Sequence, residues 1–161
     1  MIGPRRRILC LSILAIPLIT LSCGQAGSPT SPLSHLGQPM SGLTLSVNTI
    51  QGTGNMTFRI DVKNTGTATE ILNFGSSQFF DIEVTDQSGI LVWRWANEKV
   101  FAAVMWSLQL APGESSSDEA VWDLIGIDHR AVSRGSYSAK IYITGGSPGH
   151  EGLSSVIRLT I

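Results

Sequence analysis

Acid–base or metal chemistry would have to come from the carboxylates and the three histidines, His35, His129 and His150. His129 follows Asp128 and precedes Arg130 in "GIDHRAVSRG"; His150 precedes Glu151 in "GGSPGHEG". A zinc-type site needs three or four such ligands converging from suitable spacings. A single His–carboxylate neighbour pair supplies no such set, so both read as solvated loop residues. Asp81 and Glu83 lie two apart and would share one face of a strand, about 7 Å from each other. Paired carboxylates can do acid–base work, but with Arg94 opposite on an open sheet face they read as partners in an ion pair. Asp118, Glu119 and Asp123 read as a solvated acidic stretch. There is neither a Gly-x-Ser-x-Gly elbow nor a phosphate-binding glycine loop. The sequence therefore predicts no catalytic residue, no metal and no cofactor, and the chain reads as a non-enzyme.

Cys23 offers a different chemistry. The chain opens "MIGPRRRILCLSILAIPLITLSCGQ", with Arg5, Arg6 and Arg7 followed by an apolar run from Ile8 to Leu21. That run is about 14 residues, short of the roughly 20 of a membrane span. A charged start, a short apolar middle and a small residue before the break make a secretory signal peptide. "TLSCG" resembles a bacterial lipobox, which implies cleavage before Cys23 and a diacylglycerol thioether on its sulfur. Two or more acyl chains anchor a protein stably. The only other cysteine, Cys10, lies in the apolar run. The remaining domain thus has no thiol for a disulfide or a thiolate metal site.

Loss of Arg5, Arg6 and Arg7 would leave eight cationic against twelve acidic side chains, a net charge of −4. A mildly acidic surface disfavours nucleic acid and electrostatic membrane docking. From Gly24 to Gly42 the sequence is rich in Gly, Ser, Pro and Thr and carries no charge. Such a coil is a tether, reaching about 20–25 Å. The expected organisation is a leader over 1–22, a tether over 23–42 beginning at the lipidated cysteine, and a folded domain over 43–161.

The domain shows a period of two. Leu43, Leu45 and Val47 fall on one face, as do Phe58, Ile60 and Val62, with Arg59, Asp61 and Lys63 on the back. Phe80, Ile82 and Val84 alternate with Asp81 and Glu83. Trp106, Leu108 and Leu110 align, as do Tyr137, Ala139, Ile141 and Ile143, and finally Ile157, Leu159 and Ile161. Such alternation predicts half-buried antiparallel strands. Turn signals at Asn64, Asp86, Ala111 and Gly145 separate them. "NEKVFAAVM" could add one helical turn. The expectation is an all-β, immunoglobulin-like antiparallel sandwich of about seven to nine strands.

"GILVWRWANEKVF", residues 89–101, places an arginine between two tryptophans. The turn Asp86-Gln87-Ser88-Gly89 has Asp first and Gly last. A hairpin closed by pairing Asp86 with Gly89 sets Ile82 opposite Trp93, Phe80 opposite Trp95, Val84 opposite Leu91 and Asp81 opposite Arg94. Both tryptophans then enter the core, while Arg94 sits outside in an exposed pair worth about half a kcal/mol.

Taken in order, Phe74, Phe80-Asp81-Ile82, Gly89, Val92-Trp93-Arg94, Phe101, Leu110-Ala111-Pro112-Gly113-Glu114, Trp122 and Gly135-Ser136-Tyr137 resemble the BsuPI-type intracellular proteinase inhibitor domain family. The resemblance runs from about Leu43 to Ile143. It implies an all-β sandwich and, for the founding member, inhibition of a subtilisin-like serine proteinase. That inhibitor acts inside the cell, whereas the charged start and short apolar run of this chain predict export. The matched positions are core and turn residues, so they carry a fold and no reactive-site loop.

These readings predict a non-catalytic, lipid-anchored protein-binding module of the bacterial cell envelope. Its partner would be a serine proteinase or another envelope protein, and the alternative is active inhibition of a subtilisin-like enzyme. A protease cleft takes an extended segment. Of two exposed loops, Leu124–Gly135 is preferred, because Leu124, Ile125, Ile127, Arg130 and Arg134 could fill specificity pockets. Thr144–Gly152 is rich in glycine, four residues of nine, and supplies little contact area.

Overall fold

A computed structural model describes residues 42–97, 99–146 and 152–161. The leader, Cys23, His35, His150 and Glu151 lie outside these residues. The described chain forms nine strands: β1 (Leu43–Gln51), β2 (Met56–Asn64), β3 (Glu70–Phe74), β4 (Phe80–Thr85), β5 (Leu91–Arg94), β6 (Trp106–Leu110), β7 (Ser115–Trp122), β8 (Ser136–Ile143) and β9 (Ser154–Thr160). All pairings are antiparallel, in the orders β1-β2-β7, β3-β6 and β5-β4-β8-β9. This is the expected all-β sandwich.

The alternation in sequence builds the core directly. Phe58, Ile60 and Val62 of β2 are fully buried, and they meet Ile82, Val84, Ala139 and Ile141 from the facing sheet in one cluster. Each such side chain contributes about 1.5–3 kcal/mol by leaving water. In β7 only Ala120 and Trp122 turn inward, while Asp118 and Glu119 stay solvated. Glu119 meets Arg59 at 2.6 Å, with both side chains more than half exposed; such a pair adds about 0.2–1 kcal/mol.

Asn64 fastens the end of β2. Its side-chain nitrogen donates to the Ala68 and Leu110 carbonyls at 2.7 and 2.9 Å, and its side-chain oxygen accepts from Gly66 N–H. Its main chain is held by the Pro112-Gly113 turn, through Asn64 N–H to Glu114 O and Gly113 N–H to Asn64 O. In that turn Gly113 has a φ of 83°, the left-handed position a type II turn requires. At the other Gly-rich stretch, glycine serves close approach. A methyl group on Gly145 would lie 2.4 Å from the Phe74 ring.

The β4–β5 hairpin departs from the expected register in an instructive way. Gly89 has a φ of 79° and donates its N–H to Asp86 O at 3.0 Å, closing the expected turn, but Asp86 N–H donates to Ile90 O, so the ladder closes on Ile90 and not on Gly89. A type I turn followed by a left-handed glycine is a three-residue loop with a bulge, which adds one residue to the return strand. A second irregularity lies between Val84 and Thr85, where Thr85 pairs with Leu91 but Val84 pairs with Trp93. Val92 is the extra residue, and its carbonyl accepts the Ile127 N–H at 2.8 Å. Two single-residue insertions make a shift of two, which returns each side chain to its intended face. Arg94 therefore stands opposite Glu83, not Asp81, and the Trp95 main chain pairs with Ile82 instead of Phe80, its N–H donating to Ile82 O. Between the bulges the shift is one. There Val92 rather than Leu91 packs on the core.

"NEKVFAAVM" forms no helix among the described residues. Asn97 N–H donates to Arg94 O and Lys99 N–H to Ala96 O, two successive turns. The chain then runs irregularly to β6.

Candidate functional site

Asp81 is the largest correction to the sequence reading. Expected on an exposed face, it is fully buried. Its Oδ1 accepts from the Ile82 and Ala96 N–H groups at 2.8 and 3.1 Å, and its Oδ2 accepts from Arg94 Nε at 2.8 Å and Tyr142 Oη at 3.1 Å. The Asp81–Arg94 pair is thus real but diagonal, and its carboxylate is out of water. Burying a charge is tolerable only with partners of this kind. Arg94 Nη2 also donates to Tyr142 Oη at 3.1 Å. The hydrogen bond to Asp81 is the main cause of a raised Arg94 pKa.

Tyr142 is pushed up to about 12, first by burial and then by the Asp81 and Glu83 carboxylates, against a smaller opposing pull from Arg94. A group whose folded-state pKa is raised keeps its full contribution below the unfolded value of 10.0 and loses it as pH rises toward 12. The urea midpoint of the wild type is therefore expected to fall across that alkaline window more steeply than that of Tyr142→Phe. Parallel curves for the two would remove Tyr142 from the network.

The tryptophans on either side of Arg94 are half-buried and pack on the core. Trp93 stacks on Trp122 at 5.3 Å and Phe58 at 6.1 Å, and Trp95 lies 4.2 Å from Phe80 and 5.8 Å from Phe101. Lys99 Nζ covers the Trp95 ring at 4.8 Å. Trp93-Arg94-Trp95 is thus chiefly the inner face of a strand. Its outer rim still borders an open groove of about 320 Å³, with Asn97 and Lys99 on one side and Ile125, Ile127 and His129 on the other.

The far wall of that groove is the Leu124–Gly135 loop. It is curled and internally bonded: Gly126 N–H donates to Arg130 O, His129 N–H to Gly126 O and Val132 N–H to Leu124 O. Leu124 and Ile125 are half-buried, and the Ile125 carbonyl accepts Trp122 Nε1 at 2.9 Å. Ile127 and Arg130 are exposed near the tip, and both line a second cleft of about 530 Å³ beside Ile90 and Tyr137. Arg134 lies apart, near the Asp86–Ser88 turn. Leu124 and His129 have φ of 59° and 60°, and among the described residues they are the non-glycine positions with positive φ. Backbone strain of this kind persists only where the surroundings impose it, and it gathers at binding segments.

The sequence reading passed over the Lys99–Met105 segment. Val100 and Met105 are 98% and 87% exposed. The residues "KVFAAVM" are an apolar run without period-two partners, open in sequence to one helical turn.

Among the described residues, no three His, Cys, Asp or Glu side chains converge as a metal site needs. The molecule is a β-sandwich in which the Leu124–Gly135 loop and the Lys99–Met105 segment stand beside an open groove. The model of the BsuPI intracellular proteinase inhibitor family matches residues 43–147, and the chain belongs to that family. No protein of curated function matches it significantly.

Among solved structures, Bacteroides uniformis β-glucuronidase 2 aligns at 13% identity and a TM-score of 0.43, over 73% of this chain and 13% of that one. Latent PorU from Porphyromonas gingivalis aligns at 20% identity and 0.40, over 73% and 9%. A penta-heme cytochrome c552 from Thermochromatium tepidum aligns at 9% identity and 0.44, over 74% and 40%. The chain thus spans a minor part of each, and likenesses this distant carry nothing about activity.

Proposed function

We propose that this chain is a non-catalytic binding module of the bacterial cell envelope, held to a membrane by lipids on Cys23, and that its partner is a subtilisin-like serine proteinase which it inhibits. The observation that carries the partner is family membership across residues 43–147. The "TLSC" motif before Cys23 supports the location. Ile127 contributes a contact at the groove and Arg130 one at the neighbouring cleft. The test is to purify the full chain in detergent and titrate it against subtilisin and trypsin with chromogenic peptide substrates. Slowed hydrolysis with the inhibitor left intact supports the reading, and full activity with no detectable complex rejects it. In cells, labelled fatty acid is expected to enter the wild type and not Cys23→Ser. Equal labelling of both would reject the anchor.

A further inference from the structure

The connection between β5 and β6 leaves its apolar residues in water. Val100 is 98%, Met105 87% and Val104 47% exposed. The stretch Val100–Met105, "VFAAVM", contains no charged residue. Scattered surface apolar residues need no explanation, but three within six residues on one connection do.

The segment is also held in place. Phe101 turns inward onto Trp95, with ring centres 5.8 Å apart. Ala102 N–H donates to Ser77 Oγ at 2.9 Å, and its carbonyl accepts Ser77 N–H at 2.9 Å. Val104 N–H closes a tight turn on Ala102 O at 2.9 Å. At the downstream end Trp106 Nε1 donates to Ser76 O at 2.7 Å, and its ring stacks on Phe74 at 4.1 Å. The result is an outward-pointing ridge, Val100 outside and Phe101 inside, over a rigid aromatic base. A ridge fills a cleft, whereas a groove receives a ligand. Because it is pinned at both ends, little ordering entropy remains to be lost on binding.

We infer that Val100–Met105 is the segment that enters the proteinase cleft, and that the enzyme it fits has apolar, uncharged subsites. This rests on the proteinase-binding reading above. Val100 presents the leading side chain, and Val104 and Met105 follow on the far side of the turn. The Leu124–Gly135 loop flanks the contact across the groove that Lys99 and Ile127 share.

The test measures inhibition of subtilisin, which prefers apolar residues, and of trypsin, which prefers basic ones, by the full chain in detergent. Val100→Asp and Met105→Asp are compared with Val156→Asp, a 63% exposed apolar position on β9, and with the double variant Ile127→Ser, Arg130→Ser. Urea midpoints confirm that each is folded. The first two are expected to raise the subtilisin inhibition constant about tenfold or more, and Val156→Asp by less than about twofold. Trypsin is expected to be spared. Wild-type-like inhibition by Val100→Asp and Met105→Asp overturns the assignment, and so does a loss confined to the Ile127/Arg130 variant. If the wild type neither inhibits nor binds either enzyme, the proteinase reading itself fails and takes this segment with it.

Discussion

Asp81→Ala is expected to cost about 3–5 kcal/mol, the range for breaking a buried charge pair by removing one partner. Its carboxylate is the meeting point of β4, the return strand and β8, and the substitution strands the Ala96 N–H, Arg94 Nε and the Tyr142 hydroxyl at once. Arg94→Ala is expected to cost less, about 2 kcal/mol, the loss of a hydrogen bond to a charged group. Its side chain is 43% exposed, and Asp81 keeps its other donors. Both exceed the sub-kcal loss of an ordinary surface pair. Urea melts of the two single variants decide the matter; losses under 1 kcal/mol at both would return Asp81 to the surface.

Trp122→Ala is expected to fall in the upper part of the roughly 3–5 kcal/mol range for large aromatics removed from cores. Trp122 has no exposed surface. It stacks on Trp93, meets Tyr137 edge-on at 6.3 Å and spends its ring N–H on the Ile125 carbonyl. Trp93→Ala removes a half-buried ring from the same stack and is expected to cost about 2–3 kcal/mol, less than full burial gives. Because the rings touch, the double variant should cost less than the sum of the two. A larger loss at Trp93 than at Trp122 in calorimetry would mean that the half-exposed ring, and not the buried one, holds the sheets together.

The strands with clean alternation were legible from the sequence, because a period of two carries burial with it. β2 and β8 follow it residue by residue. β3, with Leu72 and Phe74 as its inward residues, and β7, with its serines and acids, carry too few apolar groups to announce themselves. The hairpin register was missed because a left-handed Gly89 and an unpaired Val92 each add a residue, and neither is encoded by alternation. Asp81 was misplaced for a different reason. Its partners include Ala96 and Tyr142, the latter 61 residues away, and only the assembled sheet brings them together. The family likeness was readable since its aromatic and turn residues recur in order. The exposed Val100–Met105 ridge was not, because apolar residues in sequence imply burial until the fold leaves them outside.

The bond from Ile127 N–H to the Val92 carbonyl bears on how copies of this protein behave beside one another. β5 is the outer strand of its sheet, and an open strand edge is a template on which a second chain can polymerise. Here the bulge kinks the strand where its spare carbonyl emerges, and the neighbouring loop has already claimed that carbonyl. A molecule sliding in edge-on meets a bent, partly occupied ladder instead of a straight row of free donors and acceptors. On this edge of the sandwich, addition of a strand from a second copy is disfavoured.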